Sequence, residues 1–314
     1  MIKKKIKVGI IGTGNIGTDL LVKIKRSNFL ECGIFAGINL NSKGIKKAKS
    51  LGIPITYESI EYIKKNPDCC EIVFDATSAE IHATNAPILK RLKKFTIDMT
   101  PSRIGKMCIP ILNLKECLNE QNINMVTCGG QATTPLVMEI VKIHPEIKYI
   151  EIVASISSKS AGLGTRNNID EYTQTTCEAI KLFTKVSRAK AILILNPAEP
   201  PILMHNTIYV EVQNPKLAEI DKAIKEVEEK IRTYVPGYKI ILGPVFDNGK
   251  VTIMSEVIGS GDYLPIYAGN LDIINCAAIV LAEEYAKKKL LKEPLNNQIN
   301  SIPLSQLSKG FAFN

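Results

Sequence analysis

The chain has 314 residues, of which 45% are hydrophobic, 23% charged and 6% aromatic, and it contains no tryptophan. This composition is typical of globular proteins and excludes disordered, collagen-like and coiled-coil chains. Lys and Arg number 40 against 31 Asp and Glu, a net charge of +9. The positive residues are dispersed and form no arginine-rich stripe with aromatics, so we expect no nucleic-acid partner.

No apolar run approaches the ~20 residues of a membrane span. The charged N-terminus is followed by glycines without a small-residue cleavage site, so we expect no signal peptide and a cytoplasmic protein without a membrane partner. The 8 cysteines are scattered without a CxxC pair. This pattern predicts reduced thiols, most of them core residues, with no disulfide framework and no metal site.

The first third of the chain alternates strand-like and helical segments. Strands are predicted over Ile6–Ile11, Cys32–Ile38, Glu71–Asp75 and Phe95–Met99. Helices are predicted from the turn after Ile11 to about Lys25 and over Lys43–Leu51. Strands that alternate with helices pair in parallel through right-handed crossovers, so this part is expected to be an α/β, doubly wound parallel sheet.

The middle of the chain has a different pattern, with longer strands rich in Ile and Val. They are predicted over Tyr149–Ser155, Ala191–Leu195, Thr207–Val212 and Val251–Val257. A long helix is predicted from Pro215 to near Gly237 and another over Leu271–Leu291, followed by a tail over Glu293–Asn314. This region is expected to be an α+β domain with a mostly antiparallel sheet. The length allows about two domains, which we place at 1–127 plus 270–314 (dinucleotide binding) and 128–269 (catalysis and oligomerisation).

A glycine-rich turn follows the first predicted strand and opens a helix. Its residues, Gly12, Thr13, Gly14, Asn15, Ile16 and Gly17, fit the pattern G-x-G-x-x-G. In this context the glycines permit a tight turn, a close approach of backbone to a pyrophosphate and close packing of helix on strand. The anion would bind at the helix N-terminus. We therefore predict a Rossmann-type dinucleotide site.

The acidic residue that binds the ribose in many such sites is missing, because Asn39 stands at the expected place after the second strand. An amide bonds a hydroxyl group but does not repel a 2′-phosphate, and Lys43 follows nearby. The sequence thus predicts NAD as cofactor without excluding NADP.

Cys128 differs from the other cysteines because two glycines follow it, and Thr134 and Pro135 then resemble the N-cap and first residue of a helix over Leu136–Lys142. A thiol near a helix N-terminus has a stabilised thiolate, and the same amides suit an oxyanion. A turn with an incidental cysteine is the alternative. A cysteine nucleophile beside a nicotinamide implies aldehyde oxidation, in which hydride leaves a thiohemiacetal and an acceptor removes the resulting acyl group.

Over about residues 6–290 the chain resembles the acylating acetaldehyde dehydrogenases of bacterial aromatic meta-cleavage pathways. The segments that carry the resemblance are GTGNIGTDL (12–20), VFDATSA (73–79), NMVTCGGQATTPLV (124–137), SSKSAGLGTRNNIDEYTQTT (157–176), NPAEPP (196–201) and GNLDI (269–273). The family makes acyl-CoA from a short aldehyde, NAD and coenzyme A. The resemblance therefore implies this activity, a cysteine thioester at Cys128 and coenzyme A as co-substrate.

The resemblance also implies roles for further residues. Asn168 would position the substrate or its oxyanion, and Asn270 would contact the nicotinamide. A second cofactor-binding loop would comprise Lys159, Ser160, Ala161, Gly162, Leu163, Gly164, Thr165, Arg166 and Asn167. Read from the residues alone, the stretch is also consistent with a plain flexible loop, Asn168 with a turn and Asn270 with a helix cap.

The chain departs from the family pattern at two places. Leu163 stands where the family usually has proline, and His205-Asn206 replaces its usual Arg-Asp. Asn206 cannot act as a general base, so His205 is a candidate to replace the family aspartate, provided that its ring faces the site. His82 and His144 have no motif role and are interpreted as structural.

The family works with an aldolase of the 4-hydroxy-2-oxovalerate type, which implies such a partner here, and we expect a homodimer or hetero-oligomer. Two other readings stay open. One is a related semialdehyde or phosphate-using dehydrogenase, for which Arg103 and Arg166 are available as anion ligands. The other is a non-catalytic dinucleotide-binding subunit, for which the changed Asn39 and Asn206 argue.

Overall fold

A parallel sheet forms the N-terminal half of the computed structural model, which describes residues 5–39 and 41–291. Its strands are β1 (Ile6–Ile11), β2 (Leu30–Ala36), β3 (Ile55–Thr56), β4 (Ile72–Asp75), β5 (Phe95–Asp98), β6 (Lys106–Met107) and β7 (Asn122–Asn124). They lie in the order β3-β2-β1-β4-β5-β7-β6, with every adjacent pair parallel. The strand order thus reverses between β1 and β4, and doubly wound sheets bind ligands at such a switch point.

Helices cover both faces of this sheet. They are α1 (Asn15–Arg26), α2 (Lys43–Ser50), α3 (Ile60–Lys65), α4 (Ala79–Arg91) and α5 (Pro110–Cys117). Val8 and Ile10 of β1 lie in one apolar cluster, whereas Ile11 lies in another with Ile63 of α3 and Leu89 of α4. Apolar residues on both faces of a strand are expected when the strand is buried in the centre of a parallel sheet, and the predicted doubly wound fold is confirmed.

A second sheet follows, with strands β8 (Tyr149–Ser157), β9 (Arg188–Asn196), β10 (Met204–Glu211), β11 (Tyr238–Asp247) and β12 (Lys250–Val257). The order is β11-β12-β10-β8-β9, antiparallel except between β8 and β9. Helices α6 (Cys128–Ile143), α7 (Leu163–Asn167), α8 (Ile169–Thr184) and α9 (Leu217–Arg232) belong to this part. Buried and half-buried residues alternate along β10, because one face packs on helices and the other stays open. The mostly antiparallel α+β arrangement is also confirmed.

The last described helix, α10 (Gly269–Leu291), returns to the first sheet and contacts α1 and β2 as well as α6. A Cβ at Gly269 would lie 2.0 Å from the Val257 carbonyl oxygen, so only glycine allows this close start. Lys23 of α1 forms buried ion pairs with Asp272 at 2.6 Å and Asp262 at 2.8 Å. These contacts fix the first turn of α10 beside the glycine turn.

The structure corrects several predicted boundaries. The helix that was predicted from Pro135 begins at Cys128, and Thr127 rather than Thr134 caps it by accepting a bond from the Gly130 N–H. Pro135 lies inside the helix. Pro135 is the eighth residue of the helix and has no N–H to donate to the Gln131 carbonyl, yet the helix continues to Ile143.

Two further corrections concern the second part of the chain. The helix predicted from Pro215 to near Gly237 spans Leu217–Arg232, and β11 was not predicted at all. β11 contains Gly243 and Pro244 and shifts register twice against β12, which obscured the strand pattern. The predicted tail lies outside the described residues, and the proposed domain boundaries stay a prediction. Among the described residues, no helix has the length and apolar character that crossing a membrane requires.

Candidate active site

A cavity of about 100 Å³ lies at the carboxyl ends of the parallel strands, where the two sheets meet. It is lined by Ile16, Thr77, Ser78, Met99, Thr100, Pro101, Val126, Thr127, Cys128, Ile156, Gly164, Thr165, Asn168, Tyr172, Asn270, Leu271 and Ile274. The lining joins the glycine turn, Cys128, the 159–167 segment and the start of α10. Segments that are far apart in sequence thus form one pocket, at the position where such folds bind ligands.

Cys128 is the first residue of α6, so its thiol lies at the positive end of a helix of 16 residues. Its Sγ is 3.7 Å from the hydroxyl oxygen of Tyr172, and that oxygen accepts a hydrogen bond of 3.2 Å from the Gly129 N–H. The sulfur, the hydroxyl group and the first amides of the helix therefore form a compact donor cluster. Such a cluster is suited to stabilise negative charge on sulfur or on an adjacent oxygen.

Both glycines after Cys128 are required by this packing. A Cβ at Gly129 would lie 2.3 Å from the Tyr172 hydroxyl, and one at Gly130 would lie 2.6 Å from Cγ1 of Val126. Val126 itself has φ of 62°, an unfavourable conformation for a β-branched residue. Strained backbone persists where the surrounding structure enforces it, often at functional sites. Here it directs the chain from β7 into the helix that presents Cys128.

The thiol is nevertheless protonated in the free protein. Burial raises the pKa of Cys128 to about 11, although the hydrogen bond with Tyr172 and the amides of Gly129 and Cys128 act in the opposite direction. Desolvation also raises the pKa of the Tyr172 hydroxyl. Within the described chain, the cavity lining contains no Asp, Glu, His, Lys or Arg. Ionisation of Cys128 must therefore depend on hydrogen-bond donors and on charge that a bound molecule supplies.

The glycine turn has the features of an anion site. Gly12 has φ of 106°, and a Cβ there would lie 2.4 Å from the Ala76 carbonyl oxygen. A Cβ at Gly14, by contrast, would meet nothing within 4 Å, so space is open on that side. No side chain caps α1 and its first turn has no acidic residue. An open approach to uncapped helix N–H groups fits a pyrophosphate.

Asn270 and Asn168 both line the cavity. Asn270 is 2% exposed, and its Oδ1 atom has no hydrogen-bond partner. A buried acceptor without a partner is costly, so it indicates a ligand with an N–H group, such as a carboxamide. Asn168 donates a bond of 2.6 Å to the Gly164 carbonyl and is also buried. Asn270 lies inside α10 rather than at its cap.

Below the cavity, a buried polar network joins the strand ends. His82 is fully buried, with Nδ1 at 2.9 Å from Asp75 and Nε2 at 3.6 Å from Asp98. Asp75 accepts bonds from Thr77, and Asp98 accepts one from the Thr100 N–H. Both threonines line the cavity. His82 therefore supports the cavity floor, and His144, which accepts a 3.0 Å bond from the Lys216 N–H, lies in a structural position too.

The structure does not bring the other histidine candidate to Cys128. His205 lies on β10 with Nε2 at 2.8 Å from Glu256, on the half-exposed face of the second sheet. Asn206 points to the opposite, buried face and donates to Ser255 at 3.3 Å. Neither residue lines the cavity. Successive residues of a strand point to opposite faces, so the sequence could not assign the orientation of His205.

The segment predicted as a second cofactor loop is partly helical. It comprises a 3₁₀ turn over Ser158–Ser160 and the short helix α7. Gly164 and Thr165 line the cavity, whereas Lys159 is exposed and pairs with Glu199 at 2.6 Å. Arg166 donates to the Ser158 and Ala161 carbonyls. The arginine thus holds the segment in shape.

Two residues that the sequence suggested as ligand contacts lie on the surface, Asn39 for the ribose and Arg103 for an anionic substrate. Asn39 is exposed and its side chain accepts a 2.9 Å bond from the Asn41 N–H. Arg103 pairs with Glu178 at 2.7 Å.

The cysteines carry free thiols; Cys70, Cys108, Cys117 and Cys276 are buried, and Cys32, Cys69, Cys128 and Cys177 are half-buried. Among the described residues, no His, Cys, Asp and Glu group forms a metal site.

The sequence analysis missed Tyr172 and Val126. Tyr172 lies 44 positions after Cys128, and only the fold brings its hydroxyl to the thiol. The sequence contained an indication of its role, because Tyr172 belongs to the segment 157–176 that carries the family resemblance. The two glycines after Cys128 also indicated that another group packs closely there. Val126 gave no signal, since a β-branched residue does not indicate positive φ.

Comparison with known proteins places this geometry in a family. A family model described as prokaryotic acetaldehyde dehydrogenase, dimerisation, matches residues 128–265. The acetaldehyde dehydrogenase of Pectobacterium atrosepticum is 53% identical over 284 residues, which cover 90% of this chain and 96% of the relative. That of Geobacillus stearothermophilus is 49% identical over 288 residues, which cover 91% and 98%.

Solved structures share the fold at low identity. Aspartate semialdehyde dehydrogenase II of Vibrio cholerae, complexed with ASA, superposes with a TM-score of 0.59 at 14% identity, covering 92% of this chain and 99% of that one. The Candida albicans aspartate semialdehyde dehydrogenase with NADP gives 0.61 at 10% identity, covering 91% and 100%. These two likenesses concern the fold alone. From the two bacterial relatives, the chain belongs to the acetaldehyde dehydrogenases, a family of oxidoreductases.

Proposed function

We propose that the protein is an acylating acetaldehyde dehydrogenase, which oxidises acetaldehyde or another short aliphatic aldehyde to acyl-CoA with NAD through a thioester on Cys128. The single observation that carries the proposal is the position of Cys128. Its thiol lies at a helix N-terminus, in a cavity that is also lined by Ile16 of the glycine-turn helix and by Asn270. The proposed nucleophile and the glycine-turn helix thus line one cavity.

The cavity favours a small apolar aldehyde. Its side walls are largely apolar, with Met99, Ile156, Leu271 and Ile274 among them, and its volume is about 100 Å³. A substrate with a phosphate or carboxylate group would need a cationic partner. The described lining residues provide none, and Arg103 and Arg166 are engaged elsewhere. These facts favour an aliphatic aldehyde over the semialdehyde or phosphate-using alternative.

The residues around Cys128 supply the steps that the protein itself performs. The Cys128 thiolate adds to the aldehyde carbon and forms a thiohemiacetal, while the Cys128 and Gly129 amides and the Tyr172 hydroxyl stabilise negative charge. Asn168, at the edge of the cavity, is placed to contact the oxygen of the adduct. No carboxylate or imidazole base takes part. We therefore propose that Asn206 in place of the family aspartate acts outside this step, on the buried face of the sheet.

The glycine turn would hold the dinucleotide, with Gly14 facing the pyrophosphate and the Asn270 Oδ1 accepting from the nicotinamide carboxamide. NAD⁺ held there would supply the hydride acceptor for oxidation of the Cys128 thiohemiacetal. The product on the protein is a Cys128 thioester. The thiol of coenzyme A then takes the acyl group and Cys128 regains its proton, so that aldehyde, NAD⁺ and CoA give acyl-CoA, NADH and H⁺.

We also infer that the protein forms a homodimer through the open face of the second sheet. The family model that matches residues 128–265 carries the word dimerisation in its description, and this range contains the second sheet. Three large apolar side chains on this face are exposed: Ile194 of β9 by 43%, and Leu242 and Val245 of β11 by 37% and 46%. Large exposed apolar side chains on one sheet indicate an interface. The aldolase partner and a role in aromatic catabolism stay predictions from the resemblance.

Intact-protein mass spectrometry tests the proposal. Acetaldehyde plus NAD⁺ should add one acetyl group to the parent protein and to Cys177→Ala, which lacks another half-buried cysteine, but not to Cys128→Ala. Coenzyme A should remove the group and release acetyl-CoA, whereas phosphate should not. Binding of NAD⁺ without any adduct would support the non-catalytic reading and contradict the proposal, as would an adduct that survives in Cys128→Ala.

A further inference from the structure

Two neighbouring cysteines lie at the opposite, amino-terminal edge of the parallel sheet. Cys69 ends a 3₁₀ turn over Pro67–Cys69, and Cys70 follows it just before β4. Their sulfurs are 3.8 Å apart and share a hydrogen bond. Cys70 is 3% exposed, whereas Cys69 is half-buried. Cys69 is thus the more accessible thiol of the pair, and Cys70 is the buried one.

A groove of about 640 Å³ opens beside this pair, and its lining contains Cys70, four lysines and three acidic residues: Lys5, Lys7, Lys93, Lys94, Glu31, Asp68 and Glu71. Lys94 is buried, and its ammonium group donates to the carbonyl oxygens of Pro67 and Cys70. The lysine thereby fixes the turn that holds both thiols and places a positive charge next to them. Small polar solutes have access to the groove from solvent.

The two thiols differ in their readiness to ionise. The hydrogen bond with Cys70, together with the charges of Lys94 and Lys7, lowers the pKa of Cys69 to about 7, against the effect of partial burial. The hydrogen bond with Cys69 and burial raise the pKa of Cys70. An accessible thiolate beside a protonated thiol is the arrangement of an attacking and a resolving cysteine.

The surroundings of Cys70 restrict how its sulfur moves. A Cβ at Gly9 of β1 would lie 2.8 Å from the Cys70 Sγ, so the sulfur packs directly on the backbone of the neighbouring strand. Movement toward the sheet interior is blocked. The Cys69 sulfur lies 3.8 Å from the Cys70 sulfur.

We propose that Cys69 and Cys70 form a peroxide-reactive dithiol that closes reversibly to a disulfide between adjacent residues. The Cys69 thiolate attacks a peroxide oxygen, which gives the sulfenic acid and, from hydrogen peroxide, hydroxide. The Cys70 sulfur then attacks the Cys69 sulfur, its proton leaves with the hydroxyl group as water, and the S–S bond forms. Two electrons pass from the thiols to the peroxide, and no other oxidant is needed.

The disulfide would be easy to reduce. Consecutive Cα atoms are about 3.8 Å apart across a trans peptide, closer than the roughly 4.4–6.8 Å of ordinary disulfides. Strained disulfides have more oxidising potentials and belong to the labile class. Thiol reductants should therefore reopen the ring, which makes the modification a reversible one.

Peptide mapping tests the proposal on the whole protein. Trypsin releases Asn66–Lys90, which contains Cys69 and Cys70 as its only cysteines. After hydrogen peroxide and then an alkylating agent, this peptide should carry no alkyl label and lack two hydrogen atoms, and a dithiol reductant should restore double labelling. The peptide that contains Cys177 serves as the internal control, because burial raises the pKa of that thiol, and it should stay alkylated.

Two conservative variants separate the roles. In Cys70→Ser the sulfenic acid on Cys69 should persist and react with a sulfenic-acid trap, whereas Cys69→Ser should lose peroxide reactivity in this peptide by at least about fivefold at neutral pH, as the thiolate fractions require. Unchanged double alkylation after peroxide would overturn the proposal, and so would a disulfide that joins Cys70 to Cys32. Because the peptide excludes Cys128, failure here leaves the proposed dehydrogenase function untouched.

Discussion

Cys128 and Cys69 lie at opposite edges of the same parallel sheet and show how environment separates two identical side chains. Cys128 begins a long helix and lines a cavity, where burial raises its pKa to about 11. Cys69 ends a short turn beside a groove that contains lysines, where the hydrogen bond with Cys70 and nearby ammonium groups lower its pKa to about 7. The helix amides stabilise the Cys128 thiolate less than desolvation destabilises it.

The comparison shows that the ionised fraction of a thiol in the free protein does not identify the proposed nucleophile. At the amino-terminal edge of the sheet, lysine side chains supply permanent positive charges that help to stabilise the Cys69 thiolate. At the carboxyl edge the described lining offers only dipoles, so full activation requires a bound positive charge. This arrangement keeps the enclosed thiol protonated, and therefore protected from oxidation, until its ligands are present.

The largest expected effect is on turnover. Cys128→Ser should lower the rate of NADH formation from acetaldehyde, NAD⁺ and CoA at least about a thousandfold, because a serine hydroxyl is not ionised in this cavity. Cys69→Ser, at the other edge, should change the rate less than about twofold. Steady-state assays of both variants make the comparison. A large loss in Cys69→Ser with normal Cys128→Ser activity would reverse the assignment of the two thiols.

The second effect is a difference in alkylation rate in the ligand-free protein. At pH 7 the thiolate fractions implied by pKa values of about 7 and about 11 differ by a factor of several thousand. The weaker nucleophilicity of the more acidic thiol offsets about half of this on a logarithmic scale, which leaves on the order of fiftyfold in favour of Cys69. Timed iodoacetamide labelling with peptide mapping measures the ratio.

The pH dependence sharpens the same prediction. A thiol with a raised pKa gains thiolate only as the pH climbs toward that value, so Cys128 labelling should keep rising above pH 9, whereas Cys69 labelling should level off above about pH 8. Equal profiles for the two cysteines would show that their environments do not differ in the way described.

Much of the first region was predictable from the sequence, because buried parallel strands and G-x-G-x-x-G are local patterns. β1, α1 and β4 lie within a few residues of their predicted limits. The second region was less predictable at particular points. β11 contains glycine and proline and is irregular, and the α6 start was placed seven residues late because Pro135 imitates a helix beginning.

The site was predictable only in part, for a physical reason. Cys128 and the glycine turn could be recognised because the residues next to them in the sequence form characteristic patterns. Tyr172 and the position of His205 depend on how distant elements pack and on which face of a strand a side chain occupies, which a single sequence does not encode locally. The raised pKa of Cys128 was likewise not predictable, since the helix N-terminus indicated a lowered one and burial dominates.

A smaller effect is expected at Tyr172. Tyr172→Phe removes the hydroxyl that contacts the Cys128 sulfur and accepts from the Gly129 N–H. A hydrogen bond to a charged group contributes about 1.5 kcal/mol or more, so turnover should fall roughly tenfold. The Cys128 labelling profile should move to still higher pH while Cys69 labelling stays unchanged. A variant with normal turnover and an unshifted Cys128 profile would show that the hydroxyl only fills space.

The smallest effect is expected at His205, which the sequence offered as a replacement base. Its ring pairs with Glu256 on the open sheet face rather than with Cys128, so His205→Gln should alter turnover less than about twofold. If His205 were the base, turnover would show a pH-dependent limb that the variant removes. The comparison requires size-exclusion chromatography to establish that parent and variant have the same oligomeric state, because the open face is the proposed dimer surface. Loss of such a limb at equal oligomeric state would place His205 in the chemistry and would mean that the carboxyl edge draws its base from outside the cavity.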